Sequence, residues 1–354
     1  MQITKAEVTP VELKLRRPVR MAGLAELTSV MAIFVRLETR QGKSAWGCSV
    51  AHPFLNGDTP EIALHVSREC AAMAPDLHPT NLEYSMAQLA SLAHAAPSAL
   101  CAFDLAFHDL LGKATGLPLY RLLGGYRNRI QTSITIPISG VEESVEAAQR
   151  CARLGFRILK IKGGLNPEED VRRVQAVRRA LPKLTVRLDA DGGYSVQEAL
   201  DVARALVDEL EMLEQPTPPD DLEGLREVRR NSPVPVLADQ SAAGPASVLQ
   251  LATHQAADGV SVKVGACGGL RCARQVDAIA RAAHMDTMVS CLIEPGLLIS
   301  AGLSFALSSA NVRYGDLDGN LDLSNDPSIP GFRLDEGWLT ASEEPGLGCQ
   351  VRLG

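Results

Sequence analysis

RILKIKG at residues 157–163, TVRLDAD at 185–191 and LEMLEQP at 210–216 repeat one pattern, a short run rich in Val, Ile and Leu that ends in charged or polar residues. Runs of this length, bounded by turn residues, read as buried strands. The same texture continues outward in both directions. TSITIPI (132–138) precedes them, and VPVLADQ (234–240), GVSVKVG (259–265), DTMVSCLIE (286–294) and NVRYGDLD (311–318) come after. Successive runs start roughly 24 to 28 residues apart, room for one strand, one helix and two loops. Helical periods such as 167–180 and 195–207 fill the intervals. Strand and helix in alternation build a parallel sheet, and eight equal units are what a closed barrel consists of. A doubly wound open sheet would carry a Gly-rich phosphate turn after a strand, which this sequence lacks. The expected fold is α/β, a (β/α) barrel of the modified TIM type over 126–321.

Upstream, alternation from Ile3 to Leu15 and from Ser29 to Leu37 predicts antiparallel strands, with Gly42 and Gly47 near the turns. Helical periods come next at 59–74, 81–92 and 97–112, the last with Ser98 as its expected cap. Residues 1–125 therefore read as an α+β capping domain, and the turn-rich tail 322–354 is expected to return to it.

Hydrophobic residues make up 46% and charged residues 22% of the 354, a composition that supports one large core rather than disorder. The net charge of -7 comes without a basic stripe, which argues against nucleic acid and for a small-molecule substrate. The eight cysteines show no zinc spacing or CxxC pair and read as reduced thiols. Charges interrupt the first 18 residues, and no stretch of 18 apolar residues occurs. A cytoplasmic protein, without a membrane partner and assembled as a homo-oligomer, is expected.

Chemistry in a barrel enzyme sits where strands end. Here the runs end in Lys160 and Lys162, Asp189 and Asp191, Glu214, Asp239, Lys263, Glu294, and Asp316 with Asp318. A charge buried without a partner costs several kcal/mol, so this recurrence has to be functional or mutually paired. Asp189, Glu214 and Asp239 on three successive strands form an all-oxygen set, which favours one Mg2+ over zinc. Lys160 and Lys162, two apart on a strand, point to the same side. A neighbouring ammonium and a metal ion would both push Lys162 toward the neutral amine. Lys263, four strands away, would face it across the barrel, so the pair could move a proton between the two faces of one carbon. Mg2+ would stabilise the enediolate left when the proton alpha to a carboxylate is removed.

None of the seven histidines falls at a strand end, and Tyr194 and Trp46 read as packing residues. GACGGL (265–270) reads as a tight turn opening the sixth helix, with amides that could touch an anion.

AFDLAFHDLLGKATGLPLYRLLGG, LKIKGG, RLDADGGY, LEQP, LADQS, SVKVGACGGL and PGLGCQV together resemble the enolase superfamily, in its muconate lactonizing enzyme subgroup, over essentially the whole chain. The resemblance implies Lys162 as one acid/base residue with Lys160 as its electrostatic helper, Lys263 as the opposite acid/base, and Asp189, Glu214 and Asp239 as magnesium ligands. GDLDGN and TSITI are similar to the dipeptide epimerases. That implies Asp316 and Asp318 as ammonium binders, with Thr135 and Glu294 also on the substrate. The loop 16–26 and the segment 294–299 would line the side-chain pocket. Two positions depart from the pattern: Asp239 is followed by Gln240 instead of Glu, and Asp189-Ala190 by Asp191 instead of Asn. Dipeptide epimerisation by two lysines is the leading expectation. The alternatives are an N-acylamino acid racemase, o-succinylbenzoate synthase, muconate cycloisomerase or hydroxyproline dehydratase, and a non-catalytic binding protein on the same scaffold.

Overall fold

The computed structural model describes residues 1–19, 26–93 and 96–353. Its first element is an antiparallel meander, β1 (Ile3–Val19), β2 (Leu27–Thr39) and β3 (Ser44–Val50). Three helices follow, Pro60–Met73, Leu82–Ala93 and Pro97–Thr115; the first and third pack on the meander, and the second packs against the other two. Thr59 caps the first of these, its Oγ1 accepting from Ile62 N at 3.3 Å. Ser98 does not cap the third. It lies in that helix's first turn, buried, and donates from Oγ to Asp58. Gly42 occupies the β2–β3 turn, but Gly47 lies inside β3. A Cβ there would sit 1.9 Å from the Ala102 carbonyl oxygen, so the glycine lets helix Pro97–Thr115 lie directly on the sheet.

After a short strand β4 (Arg129–Gln131), eight parallel strands succeed one another. They are β5 (Ile134–Ile136), β6 (Ile158–Lys162), β7 (Thr185–Asp189), β8 (Leu210–Glu214), β9 (Val236–Ala238), β10 (Gly259–Lys263), β11 (Asp286–Ser290) and β12 (Val312–Asp316). Each pairs with the next. The ring closes where Thr132 bridges Gly315 and Ser133 N donates to Gly315 O at 3.1 Å. A helix comes after each strand from β5 to β11, over Val141–Arg153, Pro167–Ala180, Val196–Ala205, Leu222–Asn231, Pro245–His254, Leu270–Ala282 and Gly296–Ser308.

Side-chain alternation sorts each strand into two faces. Leu159, Ile161, Val186, Leu188, Leu213, Val236, Val260, Val262 and Val289 join the main core beneath the helices. The other set points into the ring, where Met212, Leu237, Met288 and Tyr314 form a small apolar plug. Arg187 also lies inside it, with Nε on Glu211 at 2.7 Å and a second nitrogen on the Gly315 carbonyl at 3.0 Å.

Beyond β12 the chain runs back to β1. Leu323 bridges Leu15, and Arg16 N donates to Asp322 O at 2.7 Å. The tail then divides its contacts. β13 (Phe332–Asp335) pairs with β14 (Trp338–Ala341), which also pairs with β4, while Leu347 N reaches Asp109 of helix Pro97–Thr115 at 2.8 Å. Among the described residues, no helix is long and apolar enough to cross a membrane.

Candidate active site

Register places the charged strand ends in one layer. Lys162 pairs with Asp189 and Asp189 with Glu214, while Lys263 pairs with Ser290 and Ser290 with Asp316. Glu214, Ser290 and Asp316 lie two residues beyond Met212, Met288 and Tyr314 of the apolar plug, so the strand period that buries Met212 and Met288 also aims Glu214 and Ser290 into the ring.

Lys160, 3% exposed, stands at the centre. Its Nζ lies 2.9 Å from Asp189 Oδ2, 2.9 Å from Glu214 Oε2 and 2.7 Å from Asp316 Oδ2. Burial acts to lower its pKa, but Asp189, Asp316 and Glu214 hold it well above the ordinary lysine value. Lys162 Nζ lies 2.8 Å from Asp189 Oδ2 and 2.8 and 3.0 Å from the two oxygens of Asp191. These carboxylates oppose the shift toward the neutral amine that a neighbouring ammonium and a metal ion would cause. Burial does pull its pKa down, yet Asp189 and Asp191 more than reverse this and hold the ammonium. Lys263 donates to Asp239 Oδ1 from β10, on the opposite side of the ring.

The carboxylates carry the opposing stresses. Burial and the charge of Asp189 push Glu214 up to about 8. Burial also acts on Asp189, but Lys160 and Lys162 keep it well below the carboxylate range. Asp189, Glu214 and Asp239 are all buried, and each brings one oxygen into a set whose members lie within 4.8 Å of one another. Neither oxygen of Glu214 has a hydrogen-bond partner, although Lys160 approaches one of them. Three converging buried carboxylates, one of them with an oxygen, Glu214 Oε1, that meets no donor, fit a hard divalent cation.

A cavity of about 400 Å3 opens beside this layer, lined by Lys160, Lys162, Lys263, Thr135, Asp316 and Asp318 among others. Asp316 is already engaged, by Lys160 and by Ser133 Oγ at 2.5 Å. Asp318 is held by Thr135 N at 2.7 Å, and burial with the charge of Asp316 raises it to about 7. Glu294 is 3% exposed and outside the lining of this cavity; burial lifts it to about 7, and its Oε1 is without a hydrogen-bond partner. Of the loop 16–26, Arg17 to Val19 reach the cavity rim, while residues 20–25 lie outside the described residues. A larger groove of about 890 Å3, lined by Tyr126, Arg281 and Ser309 among others, includes none of these groups.

Several supporting residues escaped the sequence reading. Gln215, one past Glu214, accepts from Asp239 N at 2.8 Å and Ser241 N at 3.1 Å, and so sets the loop that carries Asp239. Buried Arg173 donates to Lys162 O at 2.7 Å and Pro137 O at 2.9 Å, tying the ends of β5 and β6 together. Asp170 accepts from Gly164 N at 2.9 Å and Tyr194 Oη at 2.7 Å. Gly164 has φ +95° and would place a Cβ 2.0 Å from Ala190 O, so this loop needs glycine. His52, from the loop after β3, is buried, and burial with the nearby Lys263 lowers it to about 3, leaving it neutral. His94 lies outside the described residues. Of the GACGGL amides, Gly269 N donates to Val264 O at 2.9 Å. Leu270 N donates to Asp104 Oδ2 at 2.6 Å, a cap supplied by helix Pro97–Thr115. Trp46 is away from the cavity lining, under Arg36.

Residues 143–353 match the enolase C-terminal domain-like family, and residues 3–124 match the mandelate racemase/muconate lactonizing enzyme N-terminal domain. The chain belongs to the enolase superfamily. Within that superfamily it is 34% identical to an L-Lys-D/L-Arg epimerase of Desulforapulum autotrophicum, over 99% of both chains. It is 31% identical to a hydrophobic dipeptide epimerase of Enterococcus faecalis, over 98% of this chain and 99% of the relative. Among superfamily structures, the Enterococcus faecalis V583 dipeptide epimerase complexed with Mg and L-Leu-L-Tyr superposes with a TM-score of 0.96 at 31% identity, covering 99% of this chain and 100% of that one. The L-Ala-D/L-Glu epimerase of Bacillus subtilis, as a substrate-liganded complex, also gives 0.96, at 28% identity and full coverage of both.

Proposed function

We propose that this enzyme is a magnesium-dependent dipeptide epimerase that inverts the carbon next to the C-terminal carboxylate. The observation that carries the reading is Lys162 and Lys263 on β6 and β10, opposite walls of one cavity lined also by Asp318, with a carboxylate set that fits Mg2+ in contact with both lysines. The full-length similarity to enzymes named dipeptide epimerases supports it.

Bound Mg2+, held by Asp189, Glu214 and Asp239, would supply positive charge to the substrate carboxylate as electron density builds there. The rest falls to side chains. One lysine, as amine, removes the α proton from the face it addresses. The other, as ammonium, returns a proton to the opposite face, and the configuration inverts. Lys160 is locked among Asp189, Glu214 and Asp316, too well paired to exchange protons, and its charge offsets theirs. Asp318 accepts the substrate's terminal ammonium, with Thr135 N fixing its second oxygen. Asp316 acts at one remove, held by Lys160 and Ser133.

The reading extends to the cytoplasm, consistent with eight cysteines free of disulfides. A dipeptide library screened for change of optical rotation with Mg2+ tests the assignment. Epimerisation of free dipeptides supports it, and turnover of N-acylated amino acids alone would replace it with a racemase.

A further inference from the structure

We infer that Asp191 is a positioning residue for Lys162, anchored in turn by Gln240. The inference rests on the two-lysine reading above, and neither residue has a part in that scheme. Asp191 comes after β7 in a left-handed conformation, φ 46°, which turns its carboxylate back over the barrel. Both oxygens reach Lys162 Nζ, at 2.8 and 3.0 Å. Gln240, just beyond β9, donates from Nε2 to Asp191 Oδ1 at 3.0 Å. The three side chains thus form a strap over the cation-fitting carboxylates, from β6 past β7 to the end of β9. Its members are largely buried, with 12% of the Lys162 side chain and 8% of the Asp191 side chain exposed.

Lys162 needs such a strap because its four-carbon stem has many rotamers and its nitrogen must stand over one carbon. Its other partner, Asp189 Oδ2, is shared with Lys160 and belongs to the carboxylates that fit the cation. Asp191 is outside that set, and Lys162 is the one lysine among the described residues that its carboxylate meets. Lys263 is held separately, by Asp239. Asp191 therefore serves one face of the substrate and not the other.

That asymmetry is measurable. Lys162→Ala and Lys263→Ala first assign which substrate isomer loses its α proton to each lysine, by proton NMR in D2O with Mg2+ and a dipeptide substrate. In Asp191→Asn, exchange on the Lys162 face should fall about tenfold, as for a misaimed catalytic group, while the Lys263 face changes less than about twofold. Magnesium affinity, read by calorimetry without substrate, should stay within about threefold of the parent. Equal loss on both faces, or a tenfold weaker magnesium affinity, would overturn the inference in favour of a role in the metal site. A crystal structure of Asp191→Asn tests the strap without any substrate. Lys162 should leave its place or split between rotamers while Lys263 stays on Asp239, and an unmoved Lys162 would refute the strap even if no dipeptide proved to be a substrate.

Discussion

Lys162 and Lys263 enter the cavity from walls four strands apart, so each can address only one face of a bound carbon. Replacing either with Ala should lower epimerisation at least about a thousandfold, within the range for loss of a proton-transfer group. Deuterium should still enter the isomer that faces the surviving lysine. A variant that keeps full epimerisation would end the two-base account. At Asp318 the charge-assisted bond to an ammonium is worth roughly 1.5 to 3 kcal/mol, so Asp318→Asn should reduce kcat/KM for a free dipeptide about ten- to a hundredfold. N-acetylating the dipeptide should cost the parent enzyme a similar factor and the variant little more, because each change removes the same contact. Burial sets the pH behaviour of this contact. With its free pKa raised to about 7, Asp318 takes up a proton as pH falls through neutrality and can then no longer accept an ammonium. The KM for a free dipeptide should therefore rise below about pH 7, and this limb should be missing from the pH profile of Asp318→Asn.

At the scale of elements, the site is a consequence of strand register. Because β6 to β8 pair Lys162 with Asp189 and Asp189 with Glu214, an inward residue at each strand end converges without any long-range device. That much is legible in LKIKGG, RLDAD and LEQP, where Lys160, Lys162, Asp189 and Glu214 each directly follow an apolar residue. The roles of the loop residues past the strand ends are not. Nothing in the sequence distinguishes Gln215 from a solvated turn residue, because its work, holding Asp239 N, depends on two loops meeting. The hold of Asp191 on Lys162 is illegible for the same reason, since Asp191 turns back only through a left-handed residue. Gly47 is the reverse case, a glycine that reads as a turn residue and instead admits a helix against β3. Gly47→Ala should destabilise the protein by about 3 kcal/mol, as overpacking does where backbone cannot yield, measured as a lower denaturant midpoint with an unchanged slope. A neutral result would mean that helix Pro97–Thr115 can move away from the sheet.

For the whole molecule, the order of strands and helices is carried by the spacing of apolar runs. The closure at Thr132 and Gly315 and the division of the tail between β4 and Asp109 are not, since both depend on pairings between distant segments. Metal and fold should be linked through the three carboxylates. Magnesium at a hundred times its Kd should add about 2.7 kcal/mol to stability, seen as a raised Tm, and Glu214→Gln should remove most of that gain. The most direct test of the central claim is proton NMR of the parent enzyme with Mg2+ and a free L,L-dipeptide in D2O. Epimerisation by two lysines predicts both configurations at the C-terminal residue, deuterium at its α carbon, and no activity after chelation of the metal. Inversion at the N-terminal residue, loss of water or another fragment, or full turnover in the chelator would contradict it.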